Sequence, residues 1–448
     1  MTNFRALYIP VGVPTFHKES IFEQFDLSVS LLRKISMDIE TPEQPLLTLD
    51  DLVKYISCKS CDLVILQNNA FANSEYTAEV LRHLGHEVDL LLWTLKETQI
   101  DGGRLRLNSL TGAYSAGNLL YNVGKSNFQY VWGSPSDQEV VKKIEYTVAA
   151  SKLKKQLRSM TLASIGQTPT GFGFGRGIDV EFLRHFGMKY ITVEARELMK
   201  RALGYSDTDC EEFLKEAQTK MLNLHEIPDK NVKDFVRLYK AYKEFISENN
   251  VSAVASRCWP DFFVEFGTPV CGVLGLLNEN FVPASCEADA YGALSMLICM
   301  KLSGEHVFFG DPVSLDKSEN TLTFWHCGTA SCSLAHPSKG AQTGVHPNRK
   351  IGPTMEFGCK PSEDATVFRI GRKPDGSTRF FIAKGAVLDK PQQFLGTSLV
   401  FKCENQSLDM VRRSVMDGWE PHFVVAYKDI TQELKILGAF LKAEICEY

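Results

Sequence analysis

Short apolar runs bounded by Gly, Pro, Asn and Asp alternate along this chain with longer stretches whose apolar positions recur every three or four residues. That is the strand-then-helix rhythm of an α/β protein. Across residues 1–157 the pattern predicts strands at 5–11, 63–66, 88–93 and 130–132, and helices at 19–35, 49–56, 74–84 and 139–158. A second block, 158–312, opens with a strand at 161–165, a glycine-rich loop at 166–177 and a helix at 179–186. Two charged amphipathic helices follow between 211 and 249, then a strand at 251–255. The remainder, 313–448, is richer in short strands, at 322–326, 365–370, 379–386, 398–402 and 422–427. It ends in one helix at 431–441, whose Leu434, Leu437 and Leu441 share a face. Three domains are expected: two α/β domains with parallel sheets, then a smaller β-rich one.

The segment from Phe281 to Gly328 carries the most chemistry. Glu287 and Asp311 stand 24 residues apart, separated by a helix expected at 288–302 that is apolar on nearly every face and therefore buried. With strands expected at 280–284 and 306–309, the unit reads strand, helix, strand, which a right-handed crossover makes parallel. Each acid then follows the carboxyl end of its strand, on the rim where open α/β sheets bind ligands. Two acids on one rim suit a cation or proton transfer. The same acids also read as a favourable helix N-terminus and a turn cap.

Two further rims are candidates for ligand contact. The loop from Gly166 to Gly177 lies between a strand and a helix, as a ligand cradle does, yet the dinucleotide fingerprint fails because Arg176 stands where its third glycine belongs. No nicotinamide is expected, and Arg176 is left to meet a hydroxyl or an anion. After the strand at 251–255, Arg257 and Trp259 in Ser256-Arg257-Cys258-Trp259-Pro260 suit a polar ring-shaped or open-chain ligand.

Composition narrows the class. The net charge of −5 and the lack of a basic block argue against nucleic acid, and no apolar run reaches the roughly 20 residues of a membrane span. The start of the chain lacks the features of a signal peptide. Twelve cysteines are scattered through the sequence, many inside apolar runs, as in reduced cytoplasmic proteins. Cys58 and Cys61 form the one CxxC, without the second pair that a zinc site needs.

Cys286-Glu287-Ala288-Asp289, the buried helix, Gly310-Asp311, and Pro421-His422-Phe423-Val424-Val425-Ala426-Tyr427 with the terminal helix together resemble the L-fucose isomerase and L-arabinose isomerase superfamily. The likeness is greatest to compact bacterial members related to L-fucose isomerase. It spans most of the chain and is most specific from Ala284 to His326 and from Gly418 to Leu441. The resemblance implies two Rossmann-like domains, 1–157 and 158–312, the second carrying Glu287 and Asp311, and a C-terminal domain, 313–448, carrying His422. It makes Glu287, Asp311 and His422 the ligands of a divalent metal, Mn²⁺ or another such as Mg²⁺ or Co²⁺. Spacing alone does not single out His422 among ten histidines. His326 is placed facing substrate.

The implied activity is aldose–ketose isomerisation of an open-chain sugar through a cis-enediol, with Glu287 and Asp311 sharing the proton transfers. Compact relatives in the superfamily include isomerases of sulfoquinovose, a glucose with a C6 sulfonate, and Arg176, Arg257, Arg349 and Lys350 are loop cations that a sulfonate could use. The loop at 337–352, with His336 beside it and His346 and Arg349 in it, is a candidate cover. Assembly as a homo-oligomer, a trimer or hexamer, is implied as well. An alternative of another class is a non-catalytic sugar sensor, which two α/β domains around a crevice also suit.

Overall fold

The computed structural model describes residues 4–448, so the reading that the chain's start lacks a signal peptide rests partly on residues outside those described. Two compact units are present, one taking in Met1–Gln156 and Lys435–Lys442, the other Leu157–Leu434 and Ala443–Tyr448. Among the described residues no helix is long and apolar enough to cross a membrane.

The first unit is built on a five-stranded parallel sheet in the order Ile39–Glu40, Ala6–Val11, Leu63–Asn68, Asp89–Thr94, Gln129–Trp132. Its three central strands are buried along their whole length, which is why they read as continuous apolar runs rather than alternating ones. Its helix Ser109–Asn122 is not foreseen by the apolar pattern, because small residues, Gly112, Ala113 and Ala116, make its buried face.

The second unit contains a four-stranded parallel sheet, Lys189–Val193, Thr161–Ile165, Val251–Ser256, Ala284–Ser285. It also contains a larger mixed sheet in which six strands close on themselves. Around the ring run Thr397–Cys403, Thr321–His326, Val307–Asp316, Phe423–Ala426, Ser362–Arg372 and Thr378–Val387, which pairs again with Thr397–Cys403. Every pairing in the ring is antiparallel, and closure leaves the six strands no open edge between them. A helix at Ser407–Met416 adds to the single one expected in this region; only Ser407 and Met410 of it are buried, too few to give an apolar stripe.

The helix Ala290–Ser303 joins these two sheets. Asp289 caps it, accepting a hydrogen bond from the Gly292 N–H at 2.9 Å, and Gly304 ends it in the left-handed conformation. Leu294, Met296, Leu297 and Ile298 are all buried, each worth roughly 2 kcal/mol of apolar transfer. The helix packs on the parallel sheet through Thr161–Ile165 and Val251–Ser256 and on the barrel through Val307–Asp316, Ser362–Arg372 and Phe423–Ala426. Its N-terminus therefore lies where the two sheets meet.

Two expectations need correcting. The strands flanking this helix are not a parallel crossover pair: Ala284–Ser285 belongs to the parallel sheet, whereas Val307–Asp316 is antiparallel to both of its neighbours in the barrel. Asp311 accordingly lies within its strand and not beyond it, although Glu287 does follow Ala284–Ser285. A domain boundary at 312 is also absent, since the strand Val307–Asp316 runs through that position and the compact unit is undivided there.

Candidate active site

Barrel register assembles one half of the site. Strand Val307–Asp316 pairs Gly310 with Phe423, and one further step in that register sets Asp311 opposite His422. The side chains meet there, Asp311 Oδ1 lying 3.4 Å from His422 Nε2. On the other side of the same strand Asp311 pairs with Trp325, which brings His326 alongside. The His326 and His422 rings are 5.9 Å apart, and Phe309 packs against both, at 5.5 and 4.8 Å.

The other half comes from the parallel sheet. Glu287 and Ala288 both adopt left-handed backbone, with φ of 58° and 55°, a conformation costing on the order of 1 kcal/mol for each non-glycine residue. The turn is held by the Ala288 N–H donating to the Ser256 carbonyl at 2.9 Å and the Asp289 N–H donating to that of Cys286 at 3.1 Å. It carries the Glu287 carboxylate to the barrel, where Oε2 is 2.8 Å from His422 Nε2. Trp259 fixes the second oxygen, its Nε1–H donating to Oε1 at 3.3 Å. Ligand atoms of Glu287, His326 and His422 all lie within 4.8 Å of one another.

His422 is aimed from behind. Its Nδ1–H donates to Asp289 Oδ2 at 2.9 Å, and Asp289 is itself clasped by the buried Arg369, at 2.5 Å to Oδ2 and 3.0 Å to Oδ1. Burial opposes charge on Asp289, but the Arg369 guanidinium and the His422 ring outweigh it and hold the carboxyl well below its usual range. Burial likewise opposes protonation of His422, yet hydrogen bonds to Asp289 and Glu287 and the charge of Asp311 bring it up to about 10. The two carboxylates in front diverge. Burial raises Asp311, whereas for Glu287 the same burial is outweighed by the hydrogen bond and charge of His422.

This donor set fits a divalent cation. Nε2 faces two carboxylates, and a single proton on it can be given fully to only one of them. The compact trio is Glu287, His326 and His422, with Asp311 reaching the group through His422; carboxylate oxygens with imidazole nitrogen suit divalent ions such as Mn²⁺, Mg²⁺ or Co²⁺. A carboxylate on the far ring nitrogen is the usual support for a ligating histidine, because it fixes the tautomer that turns the other nitrogen outward. His326 stands near enough to contribute, although its Nδ1 is engaged with Thr329 Oγ1 at 3.2 Å.

The glycine-rich loop covers this centre with aromatic rings. Phe174 lies 5.6 Å and Phe172 6.4 Å from the His422 ring, and Phe172 also meets Trp259 edge-on at 5.8 Å. Gly175 permits the approach, since a Cβ there would stand 2.8 Å from Asp289 Cα. Arg176, next in the chain, is exposed and lines a mixed cavity of about 210 Å³ with Ser164, Thr168, Tyr190, Glu194 and Ala288. Arg257 is committed elsewhere, its Nε donating to Asp261 at 2.6 Å and to the Trp259 carbonyl at 3.2 Å. In the loop at 337–352, His346 and Arg349 pack on Phe263, and His336 pairs with Asp389 at 3.1 Å.

Sequence reading missed Asp289, Arg369, Phe172 and Phe174 as parts of the site. Asp289 carries a cap signal that accounts for it fully, and Arg369 sits in an apolar strand with nothing local to mark its partner.

Known proteins resemble the chain along its whole length. A sulfoquinovose isomerase of Clostridium sp. (strain MSTE9) is 50% identical over 444 residues, covering 99% of both chains. Those of Priestia aryabhattai, 32% identical over 452 residues, and Alkalicoccus urumqiensis, 33% over 448 residues, are also covered almost end to end. No protein-family model matches the chain.

Proposed function

The chain belongs to the family of sulfoquinovose isomerases, and we propose on that footing that it converts sulfoquinovose, an aldose with a C6 sulfonate, to its ketose sulfofructose. It is a ketol isomerase, so the sensor alternative is set aside, and of the two substrate readings the relatives support the sulfosugar. The observation that carries the chemistry is the convergence of Glu287 and Asp311 on one face of His422, backed by Asp289.

Glu287, Asp311 and His422 would hold the cation, Mn²⁺ by the superfamily resemblance, with His326 beside them. When bound, such an ion supplies Lewis-acid polarisation of the substrate's C1 and C2 oxygens. The carbon chemistry is a proton relay. A base removes the C2 proton, the C1 oxygen gains a proton to give the cis-enediol, and then C1 takes a proton as the C2 hydroxyl loses its own. Atoms and charge balance with no oxidant.

We assign the C2 base to Asp311. Glu287 is held at both oxygens, by Trp259 and His422, whereas Asp311 meets Nε2 only at 3.4 Å and its side chain is 31% exposed. Phe172, Phe174 and Trp259 make a wall that keeps bulk water from the enediol. Arg176, on the rim of the cavity that Ala288 of Glu287's turn also lines, is the cation we assign to the sulfonate. A homo-oligomer, trimer or hexamer, follows from the superfamily resemblance, and the cytoplasm is the setting that twelve free thiols favour.

The test is ketose formation, followed by NMR, with sulfoquinovose, D-glucose, L-fucose and L-arabinose supplied in parallel. Conversion of sulfoquinovose well above the others supports the proposal; turnover of L-fucose or L-arabinose in preference would overturn the substrate assignment.

A further inference from the structure

Four buried thiols, Cys258, Cys271, Cys286 and Cys327, collect directly beneath the isomerase centre. The sulfurs of Cys271, Cys286 and Cys327 all lie within 4.8 Å of one another, and Cys271 and Cys327 approach to 3.8 Å. Cys258, also fully buried, lies beside this trio, close enough to Cys286 for the two thiols to interact electrostatically. They come from four separate elements: the loop after Val251–Ser256, the first turn of the helix Cys271–Glu279, the turn after Ala284–Ser285, and the end of Thr321–His326. No CxxC spacing announces them, so sequence gave no sign of the cluster.

We propose that this cluster is a second metal site, for a thiophilic divalent cation of the Zn²⁺ or Cd²⁺ kind, coupled to the isomerase centre. Tetrahedral thiolate coordination with metal–sulfur bonds of about 2.3 Å sets sulfurs roughly 3.8 Å apart, so Cys271, Cys286 and Cys327 need displacements of about an ångström or less to close on a cation, with Cys258 the nearest candidate for the fourth position. Soft sulfur donors and the oxygen-rich centre above would sort cations by hardness, so the two sites need not compete for one ion. Coupling follows from the covalent chain. Cys258 adjoins Trp259, Cys286 adjoins Glu287, and Cys327 adjoins His326. Drawing the sulfurs together moves the backbone that aims three site side chains, and displacements of an ångström at reacting groups cost about a hundredfold in rate.

The test uses the reduced full-length protein with saturating Mn²⁺, titrated with Cd²⁺ while the ultraviolet thiolate-to-Cd²⁺ charge-transfer band and sugar turnover are read together. The band is expected to saturate at one Cd²⁺ per chain as turnover falls tenfold or more, unrelieved by further Mn²⁺, and both effects should vanish in Cys271→Ser. A Cys58→Ser/Cys61→Ser variant, altered in the first compact unit, should keep both, which preserves the test if Cys271→Ser does not fold. No band, a band lost with Cys58 and Cys61, or a saturated band with turnover unchanged would overturn the proposal. The band is read independently of any sugar, so its failure is distinct from failure of the isomerase reading.

Discussion

At the scale of single residues, the site divides its work among carboxylates that composition alone makes equivalent. Asp289 is the buried counter-ion of Arg369 and aims His422; Glu287 is clamped; Asp311 is the loosest of the three. With Mn²⁺ kept saturating, because Asp311 is also a proposed ligand, Asp311→Asn is therefore expected to lower kcat by about 10²–10⁴, and to abolish exchange of the transferred hydrogen with D₂O, read by NMR. Retained kcat would move the base elsewhere. Arg176→Gln should raise KM for sulfoquinovose by roughly tenfold, the worth of one charge-assisted hydrogen bond, while leaving D-glucose turnover unaltered. An equal effect on both sugars would show that Arg176 does not recognise the sulfonate.

At the scale of elements, what was legible depended on how local the signal was. The helix Asp179–Phe186 and the strand Thr161–Ile165 were readable to the residue, because each is bounded by turn residues and has a clear period. The barrel closure was not, since it depends on Thr378–Val387 pairing with Thr397–Cys403, a tertiary register with no mark in either strand. His422 shows the same limit. It bonds Asp289 across 133 residues, and only family resemblance singled it out, whereas Glu287 and Asp311 were visible as acids beside strands. The helix Ala290–Ser303 supplies a test of this coupling. Asp289→Asn retains an equally good N-cap but removes the charge facing Arg369 and His422. Mn²⁺ affinity measured by calorimetry should fall about 10–100-fold, with a lower Tm. An unchanged affinity would reduce Asp289 to a helix cap.

At the scale of the whole molecule, the second unit is held as one body by the central helix and by ion pairs that tie its parallel-sheet layer to its barrel. Glu181, on the helix Asp179–Phe186, accepts two hydrogen bonds of 2.7 Å from Arg372 of the barrel and one of 3.0 Å from Tyr291. The Arg372 hydrogen bonds lower its pKa most, against burial, so its contribution is complete above the unfolded carboxylate range and is lost as pH falls through the folded value. Glu181→Gln should lower Tm near neutral pH, and the gap from wild type should close below about pH 4. A gap that persists in acid would mean packing, not charge, is what Glu181 supplies. The central claim, that Glu287, Asp311 and His422 form a divalent-metal isomerase centre, is tested most directly by turnover of sulfoquinovose after chelator stripping, before and after Mn²⁺ is returned. Activity should be lost on stripping and restored by Mn²⁺ in the wild type but not in Glu287→Gln. Full turnover by protein shown to hold no metal would contradict it.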